Sequence, residues 1–147
     1  VNLGSEKIDL RPPLRRLGEP MSNVPDDLYY TAEHEWLRVE GNDVIVGITD
    51  HAQDALTDIV YVELPDEGMQ VSEMEEFATV ESVKSVSSIF APLTGTISAV
   101  NLELDDAPEL INQDPYGDGW IVRITLNDPS VVSNLMDAAS YIAEIGE

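Results

Sequence analysis

Lys84 stands in Glu81-Ser82-Val83-Lys84-Ser85, a polar bend between two β-rich runs. Phe77, Val80, Val83, Val86, Ile89, Phe90 and Val100 on either side favour extended backbone, so the lysine is expected at or beside a hairpin tip. The chain holds only two lysines, Lys7 and Lys84, against 29 acidic residues. An ε-amine can close a stable amide, and its four methylenes add flexible reach to a fixed base. Most surface lysines only solvate, however, and a charge on a strand edge also blocks unwanted pairing. The residue type alone leaves both uses open.

Two histidines invite other chemistry. His34, between Glu33 and Glu35, has the neighbours of an acid–base group, but a half-buried histidine leading into a strand is the simpler reading. His51 has Asp50 and Asp54 nearby, which is one nitrogen ligand with no second histidine beside it, and an exposed helical turn fits better than a metal site. The absence of cysteine excludes disulfides, thiolate nucleophiles and zinc fingers, so any thiol chemistry must come from an attached group. Neither a nucleophile elbow nor a glycine-rich dinucleotide loop is present.

These groups need a scaffold, and 147 residues with 43% hydrophobic content can build one core. The formal net charge of -22 argues against a nucleic-acid backbone or an anionic membrane as partner. Partners with basic docking faces are expected, with association rates that fall as salt rises. No apolar run approaches the roughly 20 residues that span a bilayer.

Along the chain, residues 1–20 carry Lys7, Arg11, Arg15 and Arg16 with Pro12-Pro13, and read as a leader, tag or flexible extension before Met21. Residues 21–147 read as a single domain. Gly41-Asn42-Asp43 between Glu33–Glu40 and Val44–Ile48 predicts a hairpin. Thr49 predicts the cap of a short helix, and Asp58–Leu64 is the clearest strand. Two helical turns are expected across 102–111 and a strand at Trp120–Leu126. Asp128-Pro129 predicts the start of a helix whose apolar stripe runs to the end of the chain. The whole predicts a mainly β fold, a closed or sandwich-like antiparallel core with short peripheral helices and a C-terminal helix.

The lysine bend, followed by Ala91-Pro92-Leu93-Thr94-Gly95-Thr96-Ile97, resembles the swinging-arm carriers that hold lipoate or biotin on a hairpin lysine. Biotin carriers place Met on both sides of that lysine; Val83 and Ser85 favour lipoate. About twelve bonds would separate the Lys84 Cα from the far sulfur of such an arm, a span on the order of 15 Å. Further stretches narrow the resemblance: His34-Glu35-Trp36, Val46 to Gln53, Asp58 to Pro65, Leu110-Ile111-Asn112 and Asp114 to Trp120. In order and spacing, from roughly Tyr29 to Tyr141, they resemble the H proteins of the glycine cleavage system.

That resemblance implies a hybrid barrel-sandwich fold and lipoate covalently bound to Lys84. It implies a non-catalytic carrier that moves an aminomethyl intermediate among three partners: glycine decarboxylase (a pyridoxal-phosphate enzyme), aminomethyltransferase and dihydrolipoamide dehydrogenase. A lipoyl ligase or a lipoyl/octanoyl transferase would load the arm. Location would be cytoplasmic in a bacterium or archaeon and mitochondrial in a eukaryote. Glu81 and Ser82 would serve lipoylation recognition and hairpin geometry, and Glu35 is the candidate to receive the cationic amine of the loaded arm. An H-like carrier for lipoate relay or sulfur metabolism is the alternative. Three positions depart from the family pattern. Met74 replaces a usual glycine, predicting either a turn without positive φ or mild strain. Ala78 replaces a frequent glycine, and Ser88 stands where an acidic residue is common.

Overall fold

The computed structural model describes residues 23–146, so the expected extension at 1–20 lies outside the described residues. Among the described residues, nine strands form two antiparallel sheets. In the larger sheet the order is β1 (Tyr29–Tyr30), β2 (Glu35–Glu40), β3 (Asp43–Ile48), β9 (Val122–Leu126), β8 (Gly95–Val100) and β5 (Gln70–Val71). The smaller holds β4 (Ile59–Glu63), β6 (Glu76–Ser82) and β7 (Val86–Phe90), with β6 central. The sandwich half of the expectation holds. The closed half does not, because β1 and β5 end the larger sheet without meeting each other.

Alternation of side chains drives the two sheets together. In β6, Val80 and Ser82 turn inward while Glu76 and Glu81 face water. Val80, Val44, Val46, Ile97 and Ile124 have no exposed surface and share one core between the sheets. Each such side chain contributes about 1.5–3 kcal/mol by leaving water. A second cluster, Leu28, Tyr30, Trp36, Ala138 and Tyr141, packs where the C-terminal helix meets β1 and β2. Gly47 faces Trp36 across the β2–β3 ladder, and a Cβ there would come within 2.7 Å of the indole. The indole N–H in turn donates to the Pro115 carbonyl at 2.9 Å.

The β2–β3 hairpin turns through Gly41-Asn42, with Gly41 at φ +65°. Helix α1 (Asp50–Leu56) starts where expected, and the Thr49 hydroxyl oxygen accepts the Ala52 N–H at 3.2 Å. Two single helical turns follow β8: α2 (Glu103–Asp106) and α3 (Leu110–Gln113). The C-terminal stretch corrects the expectation of one continuous helix. Asp128 caps only a 3-10 segment, Pro129–Asn134, and the chain then extends at Leu135. Met136 exchanges two backbone hydrogen bonds with Tyr30, at 2.9 and 3.0 Å. Asp137 caps afresh, its side chain accepting the Ser140 N–H, and α4 (Ala138–Glu144) follows. Pairing with β1 outweighs the helical stripe at this point, because the edge strand offers two bonds that an exposed helical turn would leave to solvent.

Met74 sits at φ +72°, so of the two outcomes open for that turn the structure adopts the strained one.

Candidate functional site

The β6–β7 hairpin carries Lys84 on its three-residue tip, Val83 to Ser85. Ser82 builds that tip. Its N–H donates to the Ser85 carbonyl at 2.8 Å, and its hydroxyl oxygen accepts the N–H groups of Lys84 and Ser85, both at 3.0 Å. Ser82 itself is buried, whereas Glu81, one residue earlier on the opposite face, is exposed. Glu81 lies in register between Tyr61 and Val86. Tyr61, Val83 and Val86 are all more than half exposed, so an apolar strip borders the tip.

The tip leans on the junction between α1 and β4. Val83 N–H donates to the Asp58 carbonyl at 3.0 Å, and Lys84 Nζ donates to the Ala55 carbonyl at 3.2 Å. Ala55 belongs to a cleft of about 70 Å³ that runs between α1 and the smaller sheet. Ile48, Ala52, Leu56, Val80 and Ile89 give it an apolar lining, and Glu35, His34 and His51 lie within the same wall. The amine of Lys84 therefore contacts the backbone of a residue that also lines the cleft containing Glu35.

Glu35 is buried at the start of β2. One carboxylate oxygen accepts the Thr31 hydroxyl at 2.7 Å, and the other accepts the Phe90 N–H at 3.2 Å. Burial penalises its charged form and pushes its pKa up to about 7, with the two hydrogen bonds opposing the rise. A cation entering this cleft would find a carboxylate that gains from being paired.

His34 takes the quieter of its two expected roles. It is half-buried with φ +73°, its Nδ1 hydrogen-bonds the Tyr141 hydroxyl at 2.8 Å, and its ring lies 5.0 Å from that of His51. Burial, and then the neighbouring His51, hold its pKa down at about 4. The Tyr141 hydroxyl also meets the Thr49 hydroxyl at 2.8 Å, so α4 is pinned to the wall of the cleft. His51 lies on α1 as expected, but it is buried against the cleft rather than on an exposed turn. No group of three or more metal-ligating side chains occurs among the described residues. Ser88 lines the cleft as well.

Two contributors escaped the reading of residue types. The Ala55 carbonyl is a backbone group and gives no side-chain signal. Asn112, on α3, bonds three groups at the α1–β4 junction: its Nδ2 donates to the Thr57 carbonyl at 2.8 Å and to Gln53 Oε1 at 2.9 Å, and its Oδ1 accepts the Ile59 N–H at 2.9 Å. Leu110-Ile111-Asn112 was visible as a block, but nothing in it announced a clip between distant segments.

Comparison with known proteins gives one answer. The sequence model of the family described as "Glycine cleavage H-protein" matches residues 28–147. A glycine cleavage system H protein from Symbiobacterium thermophilum is 55% identical over 123 residues, covering 84% of this chain and 96% of that protein. One from Myxococcus xanthus is 54% identical over 121 residues, covering 82% of this chain and 94% of its own. The crystal structure of a glycine cleavage system H protein from Mycobacterium marinum superposes with a TM-score of 0.78 at 40% identity, covering 84% of this chain and all of that one. No helix among the described residues is long and apolar enough to cross a membrane.

Proposed function

The chain belongs to the glycine cleavage H-protein family, and on that premise we propose that Lys84 is the residue that bears its lipoyl group. The family role is a non-catalytic carrier of the glycine cleavage system, serving glycine decarboxylase, aminomethyltransferase and dihydrolipoamide dehydrogenase. The lipoyl group, when bound, supplies the disulfide–dithiol chemistry by which the aminomethyl unit is carried.

The observation that carries the assignment is the Lys84 amine at 3.2 Å from the carbonyl oxygen of Ala55, a residue that lines an apolar cleft. The residues present fit the group. Ile48, Ala52, Leu56, Val80 and Ile89 suit a methylene chain and a small ring, and they exclude water from whatever lies between them. Ser82 fixes the tip so that the base of the arm stays in place. Glu35 is our candidate to receive the ammonium of a loaded arm, since it lines the cleft and burial leaves its charge uncompensated. Exposed Glu81 and the strip of Tyr61, Val83 and Val86 offer a loading enzyme both charge and apolar surface beside the target amine. That enzyme is a lipoyl ligase or a lipoyl/octanoyl transferase. The bacterial sources of the relatives support a cytoplasmic location.

Intact mass tests the assignment. Incubation with a lipoyl ligase, lipoate and ATP is expected to add one lipoyl group, and Lys84→Arg is expected to add none. Modification of the arginine variant, or a bare wild-type chain beside a modified control acceptor, would overturn it.

A further inference from the structure

We propose that the Ala55 carbonyl, kept vacant by Asn112, is a resting seat for the Lys84 side-chain nitrogen, occupied before and after acylation when no partner enzyme draws the arm out, so that the resting arm starts beside the cleft. This rests on Lys84 being the lipoylated residue.

The argument begins with one hydrogen bond that the helix does not make. In a continuing α-helix the N–H of residue 59 would donate to the carbonyl of residue 55. Here the Ile59 N–H donates to Asn112 Oδ1 at 2.9 Å. Thr57 ends the helix at φ +67°, its own N–H turning back to the Gln53 carbonyl. Asn112 Nδ2 holds the far side of the same bend through the Thr57 carbonyl and Gln53 Oε1. Asn112 thus takes the donor that would have covered Ala55 and locks the chain in the conformation that leaves this carbonyl for Lys84. A helix C-terminus also carries partial negative charge, which favours an N–H donor there.

Acylation does not abolish the donor. The ammonium loses two protons, the nitrogen forms one bond to the acyl carbon of an activated lipoyl donor, and the activating group departs. One N–H remains, which is the number this seat requires. With that hydrogen directed at Ala55, the acyl chain starts beside α1, with the cleft that Ala55 lines within its reach. Its remaining length from Nζ is on the order of 10 Å. One turn back along α1, about 6 Å away, lies His51, with Glu35 on the same cleft wall. The seat therefore fixes the starting point of the arm, and cleft contacts act on an arm that begins beside them.

The full-length lipoylated protein, labelled with ¹⁵N-lysine, tests this directly. Lys7, the other lysine, keeps its ammonium, so the acylated nitrogen gives one side-chain amide signal. Intact mass first establishes that Lys84 is modified; its failure would strike the assignment of the lysine and not the seat. On the modified protein, exchange of that amide hydrogen is expected to be about five- to tenfold slower than in a free acylated lysine, the protection that one net hydrogen bond gives. A coupling across the bond to the ¹³C carbonyl of Ala55 is expected with it. Exchange at the free rate with no coupling would overturn the seat. Asn112→Asp retains the acceptor for Ile59 but loses both donors, and is expected to return exchange close to the free rate at unchanged mass. Full protection in that variant would remove Asn112 from the device.

Discussion

The Ser82 hydroxyl oxygen lies 3.0 Å from the amide nitrogen of Lys84 and accepts its hydrogen, two residues along the chain. It accepts the Ser85 N–H at the same distance, so one side chain satisfies two donors that the tight bend turns away from the β ladder. The residue proposed to bear the lipoyl group is thus placed by its neighbour's side chain as much as by the strands.

Ser82→Ala removes that acceptor while keeping the backbone bond from Ser82 N–H to Ser85. The expected cost is about 1–2 kcal/mol, read as a lower midpoint in thermal or denaturant unfolding. Initial rates of lipoylation should fall several-fold because the amine is no longer presented in one position. Ser82→Thr retains a hydroxyl and should restore most of both. A loading rate unchanged in the alanine variant would show that the bend is shaped without this side chain.

Glu35 and His34 give the stability of the protein two opposing pH dependences. Glu35 titrates near 7 when folded and near 4.5 in its unshifted state, so its folded form holds the proton more tightly. Its favourable contribution is fully present below 4.5 and is lost as pH rises through about 7, amounting to about 3 kcal/mol for the shift. His34 runs the other way: with its folded pKa near 4, its contribution is present above 6.5 and is lost as pH falls through 4. Between about pH 4.5 and 6.5 the two slopes oppose each other and cancel, so these two groups leave the profile nearly flat. Glu35→Gln keeps the shape without the ionisation and leaves the His34 slope alone, so stability should then rise with pH between 4 and 6.5 in denaturant titrations at several pH values. The same variant should shorten the lifetime of the loaded arm; an unaltered lifetime would leave Glu35 no part in holding it.

Met74 holds φ +72° with its side chain more than half exposed, and its N–H donates to the Ala91 carbonyl at 2.7 Å. Little packing would be lost with the side chain, and glycine adopts this backbone without strain. Met74→Gly should therefore raise stability, by up to about 1 kcal/mol after the greater freedom of glycine in the unfolded chain is counted. Calorimetry of the two proteins decides it, a lower midpoint for glycine showing that the methionine packs more than its exposure suggests.

Local patterns carried much of the fold. The Gly41-Asn42 hairpin, the Thr49 cap and the inward Val80 follow from turn chemistry, capping and period-two alternation, which act within a few residues. The break at Leu135 was not legible, because the apolar stripe from Leu135 to Ile145 suits a helix and only Tyr30, about a hundred positions earlier, competes for Met136. The site divides in the same way. Lys84, Ser82 and Glu35 are named by side-chain type within recognisable stretches. The Ala55 carbonyl and the grip of Asn112 on two segments more than 50 residues away depend on tertiary placement, which no local window contains.

The pairing of Met136 with Tyr30 also has a temporal side. A ribosome makes Tyr30 about a hundred residues before Met136, at about 5–20 residues per second. For several seconds the flank of β1 must wait unsealed for a partner that has not yet been synthesised. A stop codon between the two would leave that flank open to strands of other chains.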